Sequence, residues 1–147
     1  METDPIGVCE LLVGLPEVNV LGVDDVAGEP IGICVESRVG RPACPKCATP
    51  GWVKDRPVVE LVDLAVFGHP VRLAWRKHRF WCPDPECGHG SWTVEAPRIG
   101  ARRLSMTDRA GRWVTFQVGR LGRTVAEVAR ELGCDWHTVN DTGGCLR

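Results

Sequence analysis

The sequence predicts an α+β protein, β-rich from the N-terminus to about residue 97 and helical from residue 104 onward. Three observations carry this prediction. Short runs before residue 97 alternate apolar with small or polar residues, the period of a half-buried strand. Two cysteine pairs, Cys44 with Cys47 and Cys82 with Cys87, bracket the centre of that β-rich part. Beyond Thr124, residues Val125, Val128, Ala129 and Leu132 recur on one helical face.

A chain of 147 residues fits one ordinary domain or two small ones. It has no run of eighteen apolar residues, so no membrane span is expected. Met1-Glu2-Thr3-Asp4-Pro5 lacks the basic start and apolar core of a signal peptide. The expected location is therefore the cytoplasm, where thiols stay reduced and eight cysteines point to metal rather than disulfides. The net charge of −1 is unevenly spread: −7 over residues 1–40, +5 over 41–103 and +1 over 104–147. Only the middle and the end of the chain are suited to a phosphate backbone.

Residues 1–40 form the first expected unit, a β segment. Val18, Val20 and Leu21 lead into the turn-rich Asp24–Pro30, and Ile31, Ile33 and Val35 alternate beyond it. Residues 41–97 form the second. Val58–Val62 is β-rich, Phe67-Gly68-His69-Pro70 is a turn, and Val71–Trp75 alternates again. Arg79-Phe80-Trp81 runs straight into Cys82, and Ser91–Val94 makes a last short strand before Pro97. Residues 104–147 are helical. Ser105 is the expected N-cap of a first helix carrying Val114 and Val118, which Gly119 and Gly122 end. Thr124 with Glu127 is a capping-box pattern that opens a second.

Cys44-x-x-Cys47 and Cys82-x4-Cys87 are separated by thirty-four residues. Such spacing lets two tight knuckles aim four sulfurs at one tetrahedral ion, the preference of Zn2+. Gly88, directly after the last cysteine, suits a close chain reversal. Two knuckles joined by a hairpin constitute a zinc ribbon. Four protein ligands leave no open position, so the single zinc is expected to be structural. His89 is the alternative to Cys87, although thiolates are the commoner ligands. A redox Cys-x-x-Cys would need βαβ surroundings that are missing. Cys9, Cys34, Cys134 and Cys145 have no paired spacing and read as small apolar residues.

In the helical part, Gly133 is placed to supply a left-handed cap, Ala129 to allow close helix crossing, Asp135 to cap the next helix and Val139 to pack it back. This is the pattern of a helix-turn-helix whose second helix enters the major groove. Trp136, His137, Thr138, Asn140 and Asp141 would then be near the groove, with Arg123 and Arg130 toward phosphates. The recognition helix meets Gly143-Gly144 and is expected to be short or frayed. An ordinary helical hairpin is the plainer alternative. Arg72, Arg76, Lys77, Arg79, Arg98, Arg102 and Arg103 form a basic set around Trp75, Trp81 and Trp92. The arginines suit DNA contact, whereas the tryptophans suit the small core of a ribbon.

Cys44-Pro45-Lys46-Cys47, Val62-Asp63-Leu64, Gly68–Leu73, Arg79–Cys82, Cys87 and Trp92–Glu95, in this order, resemble the N-terminal zinc ribbon of bacterial insertion-sequence transposases of the ISL-three family. The Ala129 to Gly133 segment resembles the helix-turn-helix that follows it there. The resemblance implies binding to double-stranded DNA at the terminal inverted repeats of a mobile element. It also implies a nucleoid-associated protein that could meet intact transposase or itself. In full-length members a downstream RNase H-like domain performs strand transfer. The chain stops short of it, so a truncated, non-enzymatic, DNA-binding fragment is expected. The rival expectations are a small zinc-ribbon and helix-turn-helix transcriptional regulator, or a protein-interaction zinc module.

Overall fold

The computed structural model describes residues 4–100 and 105–145, with side chains as far as Asp141. It is an α+β fold with two sheets and, among the described residues, four helices. No described helix is long and apolar enough to cross a membrane.

The chain opens with a helix rather than the expected strand. Helix α1 spans Pro5–Val13. Asp4 caps it by accepting a hydrogen bond from the Ile6 amide, Pro5 starts it with a fixed φ, and Gly14 ends it at φ 64°. Its exposed Leu11 and Leu12 blur the polar face that would have marked it as a helix. Strands β1 (Val18–Asp24) and β2 (Ile31–Ser37) follow as expected, antiparallel and with a bulge between Val20 and Gly22.

Strand β3 (Trp52–Asp55) precedes a long hairpin of β4 (Val58–Val66) and β5 (His69–Arg76). This hairpin does not join the cysteine knuckles into one sheet. It completes a four-stranded sheet of order β1-β2-β5-β4, in which β5 lies parallel to β2. The reason is burial. Val59, Leu61, Leu73 and Trp75 alternate onto the same face as Val18, Val20, Ile33 and Val35, and α1 and the 96–99 segment close over them. The remaining strands, β6 (Arg79–Trp81) and β7 (Ser91–Thr93), form an antiparallel three-stranded sheet with β3, of order β3-β6-β7.

The opposite face of β4 receives the helices. Val62 packs with Met106, Ala110, Val114, Val128, Ala129, Leu132 and Val139. Ser105 is not a helix cap. The Ser105 carbonyl accepts from the Val62 amide, and the Thr107 amide donates back to Val62, so the chain first extends the sheet edge. Thr107 then caps α2 (Asp108–Gly119). Helix α3 (Val125–Leu132) carries both halves of the capping box between Thr124 and Glu127. Helix α4 spans Trp136–Cys145, ten residues that include Gly143 and Gly144.

A buried ion pair ties these layers together. Asp63, 1% exposed, accepts from Arg109 through both carboxylate oxygens (2.9 and 2.6 Å), from the Thr107 hydroxyl (2.7 Å) and from the Leu64 amide (2.8 Å). Arg109 also donates to the Val13 carbonyl at the end of α1. Strand β4, α1 and α2 are thereby joined through one carboxylate whose acceptor capacity is well used.

Candidate functional site

The four cysteines expected to share an ion come together because of the parallel pair. Since β5 runs alongside β2, Arg76 lies opposite Glu36 at the end of the sheet where β4 also begins. The segment after β2 carries Cys44 and Cys47, and the segment after β5 carries Cys82 and Cys87, so both leave from one end. Glu36 holds this exit by pairing with His78 (3.1 Å) and Arg56 (3.6 Å), and the Trp75 indole donates to Ser37 (2.8 Å).

Each knuckle is built by local hydrogen bonds. In the first, the Ala48 amide donates to the Cys44 carbonyl (2.9 Å) and the Cys44 amide to Thr49 (2.8 Å), with Ala48 at φ 64°. In the second, the Cys87 amide donates to the Asp84 carbonyl (3.2 Å), and Gly88 at φ 65° reverses the chain as expected. Lys46 bridges the two knuckles by donating to the Cys87 carbonyl (2.8 Å). Gly51 is required by packing, because a Cβ there would lie 2.6 Å from the Trp92 ring.

The ligand atoms of Cys44, Cys47, Cys82 and Cys87 all lie within 4.8 Å of one another. Cys44 and Cys87 sulfurs are 3.7 Å apart, and Cys47 and Cys82 sulfurs 3.5 Å. Bonded sulfurs would stand at about 2.05 Å. A tetrahedron of thiolates, each about 2.3 Å from a central ion, has edges of roughly 3.8 Å. The set therefore fits a tetrahedral metal and not disulfides. His89 is outside the cluster, its ring 5.9 Å from that of Trp92. Cys44, Cys82 and Cys87 are buried and Cys47 is exposed. The Thr49 hydroxyl and backbone draw the Cys47 thiol down to about 6. Burial pushes Cys82 up to about 12 and raises Cys87 as well. The Cys47 sulfur is thus ready as thiolate at neutral pH, whereas Cys82 and Cys87 are biased toward the thiol until a cation displaces the proton.

The helical surface assembles around Gly133, at φ 65°. Its amide donates to Arg130 (3.2 Å) and the Cys134 amide to Ala129 (2.9 Å), satisfying the end of α3. Arg72, on β5, donates to the Leu132 carbonyl (3.1 Å) and to that of Gly133. The Gly133 Cα faces Pro70 so closely that a Cβ would stand 2.7 Å from the Pro70 Cβ. The β4–β5 hairpin therefore clamps the corner between α3 and α4. Asp135 accepts from the His137 amide (2.8 Å) and caps α4 as expected, and Val139 is buried beneath it.

The candidate contact residues fare differently. Trp136 is 53% exposed, with its ring stacked on His137 at 3.7 Å, and Asn140 and Arg130 are exposed. Thr138 is half-buried. Arg123 is engaged inside the helical unit, by Glu131 (2.7 Å), Gln117 (3.0 Å) and the Trp113 ring at 5.9 Å. Arg79 is held by both carboxylate oxygens of Asp55. Lys77 lies 4.3 Å over Trp75, and Arg76 is exposed at the sheet end. Arg102 and Arg103 lie outside the described residues. Of the tryptophans, Trp75 is buried and Trp92 packs on the cysteines as a core residue would, but Trp81 is 38% exposed.

Two features were not read from the sequence. Asp63 was given no role of its own, although an acid between Val62 and Leu64 signals a buried partner. Trp52 had no spacing to set it apart, and only strand pairing brings it against Trp81. No protein-family model, curated protein or solved structure matches the chain.

Proposed function

We propose that this chain is a zinc-dependent DNA-binding unit of the insertion-sequence transposase type, acting on the terminal inverted repeats of a mobile element in the bacterial cytoplasm. In this reading Cys44, Cys47, Cys82 and Cys87 hold one structural Zn2+, and the three-stranded sheet is a zinc ribbon. Helices α3 and α4 act as a helix-turn-helix, with α4 in the major groove. The observation that carries the DNA reading is the clamped corner at Gly133. It fixes a helix with Val139 turned inward and Trp136, His137 and Asn140 left to solvent.

The unit binds and does not catalyse. The acids Asp55, Asp63 and Asp108 are taken up by Arg79, Arg109 and Arg112, respectively. Arg130 is the better phosphate contact of the two helical arginines, since Arg123 is already paired. A gel shift with duplexes bearing an inverted-repeat end, a promoter operator or scrambled sequence tests the reading. Asn140→Ala should relax base preference, at a cost of about 1–3 kcal/mol. Arg130→Gln should weaken all duplexes alike and lower the salt slope by about one. Preference for the operator would favour a transcriptional regulator. Absence of duplex binding would sink the proposal. It would favour a protein-interaction zinc module, for which the exposed Leu11, Leu12 and Phe67 supply an apolar surface.

A further inference from the structure

The three-stranded sheet has two unlike faces. Residues directly paired across antiparallel strands share a face. Phe80, paired with Val53 and Trp92, marks the inner one: it is buried, stacks on Trp92 at 6.0 Å, and Trp92 packs on the cysteines. Trp81, paired with Trp52 and Ser91, marks the outer one.

The outer face leaves two indoles in water. Trp52 is 52% and Trp81 38% exposed, with ring centroids 5.4 Å apart and planes at 87°. A flat ring stacked on one indole would meet the other at a right angle. Lys54, two residues along from Trp52, reaches across to donate to the Ser91 hydroxyl (3.1 Å). Lys54, Trp81 and Ser91 help line an open depression of about 310 Å3. Asp55 is matched by Arg79, so its carboxylate presents no unpaired charge to repel an anion. The apolar surface near α1 is different in kind, being built largely of aliphatic side chains such as Leu11, Leu12 and Val23.

Exposed aromatic planes beside a cation suit one ligand chemistry, a flat base attached to a phosphate. Bases in a duplex already stack on their neighbours, so only an unpaired base can offer its face. We propose that the Trp52–Trp81 face binds an unpaired base of single-stranded DNA, with Lys54 meeting the adjoining phosphate. The choice of DNA over RNA rests on the DNA reading above, whereas the stacking site does not.

The test is fluorescence anisotropy of the full, zinc-loaded chain with labelled oligothymidine of about twelve nucleotides. A duplex and an RNA strand of equal length serve as the other arms. Trp52→Ala should weaken single-stranded DNA binding about tenfold, within the range for one stacked base, and Trp52→Phe should retain most of it. Lys54→Gln should weaken it less and flatten its salt dependence by about one phosphate contact. Duplex binding should be unchanged in all three variants. Zinc content equal to the parent verifies folding, and Lys54→Gln decides the matter if Trp52→Ala does not fold. The proposal is overturned if single-stranded DNA does not bind, or if RNA binds more tightly. It also falls if the folded variants bind as the parent does, or lose duplex and single strand alike. Loss of duplex binding in the parent, with single-stranded binding still dependent on Trp52, would remove the helix-turn-helix reading and leave this site standing.

Discussion

The two sheets of this protein are held together by different physics. The four-stranded sheet has hydrocarbon on both faces: one cluster of eight buried residues joins it to α1 and the 96–99 segment, and another of eight joins Val62 of β4 to Met106, α2, α3 and α4. The three-stranded sheet has only three buried cysteines and Trp92 in its cluster, with Phe80 stacked alongside. It buries too little to be stable from apolar contacts alone, and its knuckles converge on sulfur. Yet the chain weaves between the two, from β2 to β3, back to β4 and β5, and out again to β6. One part therefore answers to packing and the other converges on a four-cysteine cluster that could hold a metal ion, although they share a continuous backbone.

Metal removal should separate them with the largest effect. Chelation, or Cys82→Ser, should withdraw on the order of 10 kcal/mol from the three-stranded sheet. Amide exchange should then become fast across Trp52–Asp55 and Arg79–Trp81 while β4 and β5 stay protected. Simultaneous loss in both sheets would mean that the two are one cooperative unit. Acid should act in the same direction. Cys47, drawn down to about 6, is a thiolate above that pH and becomes a thiol below it, while Cys82, near 12, must surrender a proton on binding at any ordinary pH. Zinc affinity should fall as pH is lowered from neutrality, and uptake at neutral pH should release protons, both measurable with a zinc indicator in weak buffer.

The converse perturbation is Asp63→Ala, which strands Arg109 in a partly buried site. Removing one member of such a pair costs about 3–5 kcal/mol. Denaturant unfolding should show this loss in the four-stranded sheet and helices, while zinc stoichiometry stays at one. A variant that also loses zinc would show that the packed region supports the cysteine site. Smaller still should be Gly133→Ala. A left-handed φ and a Cβ 2.7 Å from Pro70 together should cost about 1–3 kcal/mol in a thermal melt. Pro70→Gly, which removes that Cβ, should recover part of that loss, whereas no recovery would show that the hairpin does not clamp the corner.

Sequence alone sufficed at several places where the deciding interactions are local. Cysteine spacing within each knuckle, the reversal at Gly88, the Thr124–Glu127 box and the Gly133 cap are all settled by residues a few positions apart, where backbone geometry leaves few choices. The α1 helix escaped because its caps, Asp4 and Gly14, enclose a mostly apolar run with little helical contrast. Pairing across distance was beyond reach. That β5 inserts between β2 and β4, that Asp63 takes Arg109, that Arg79 and Arg123 are already engaged, and that Trp52 meets Trp81 all depend on which surfaces bury each other best. Many pairings satisfy the same alternating pattern, and only the assembled core selects among them.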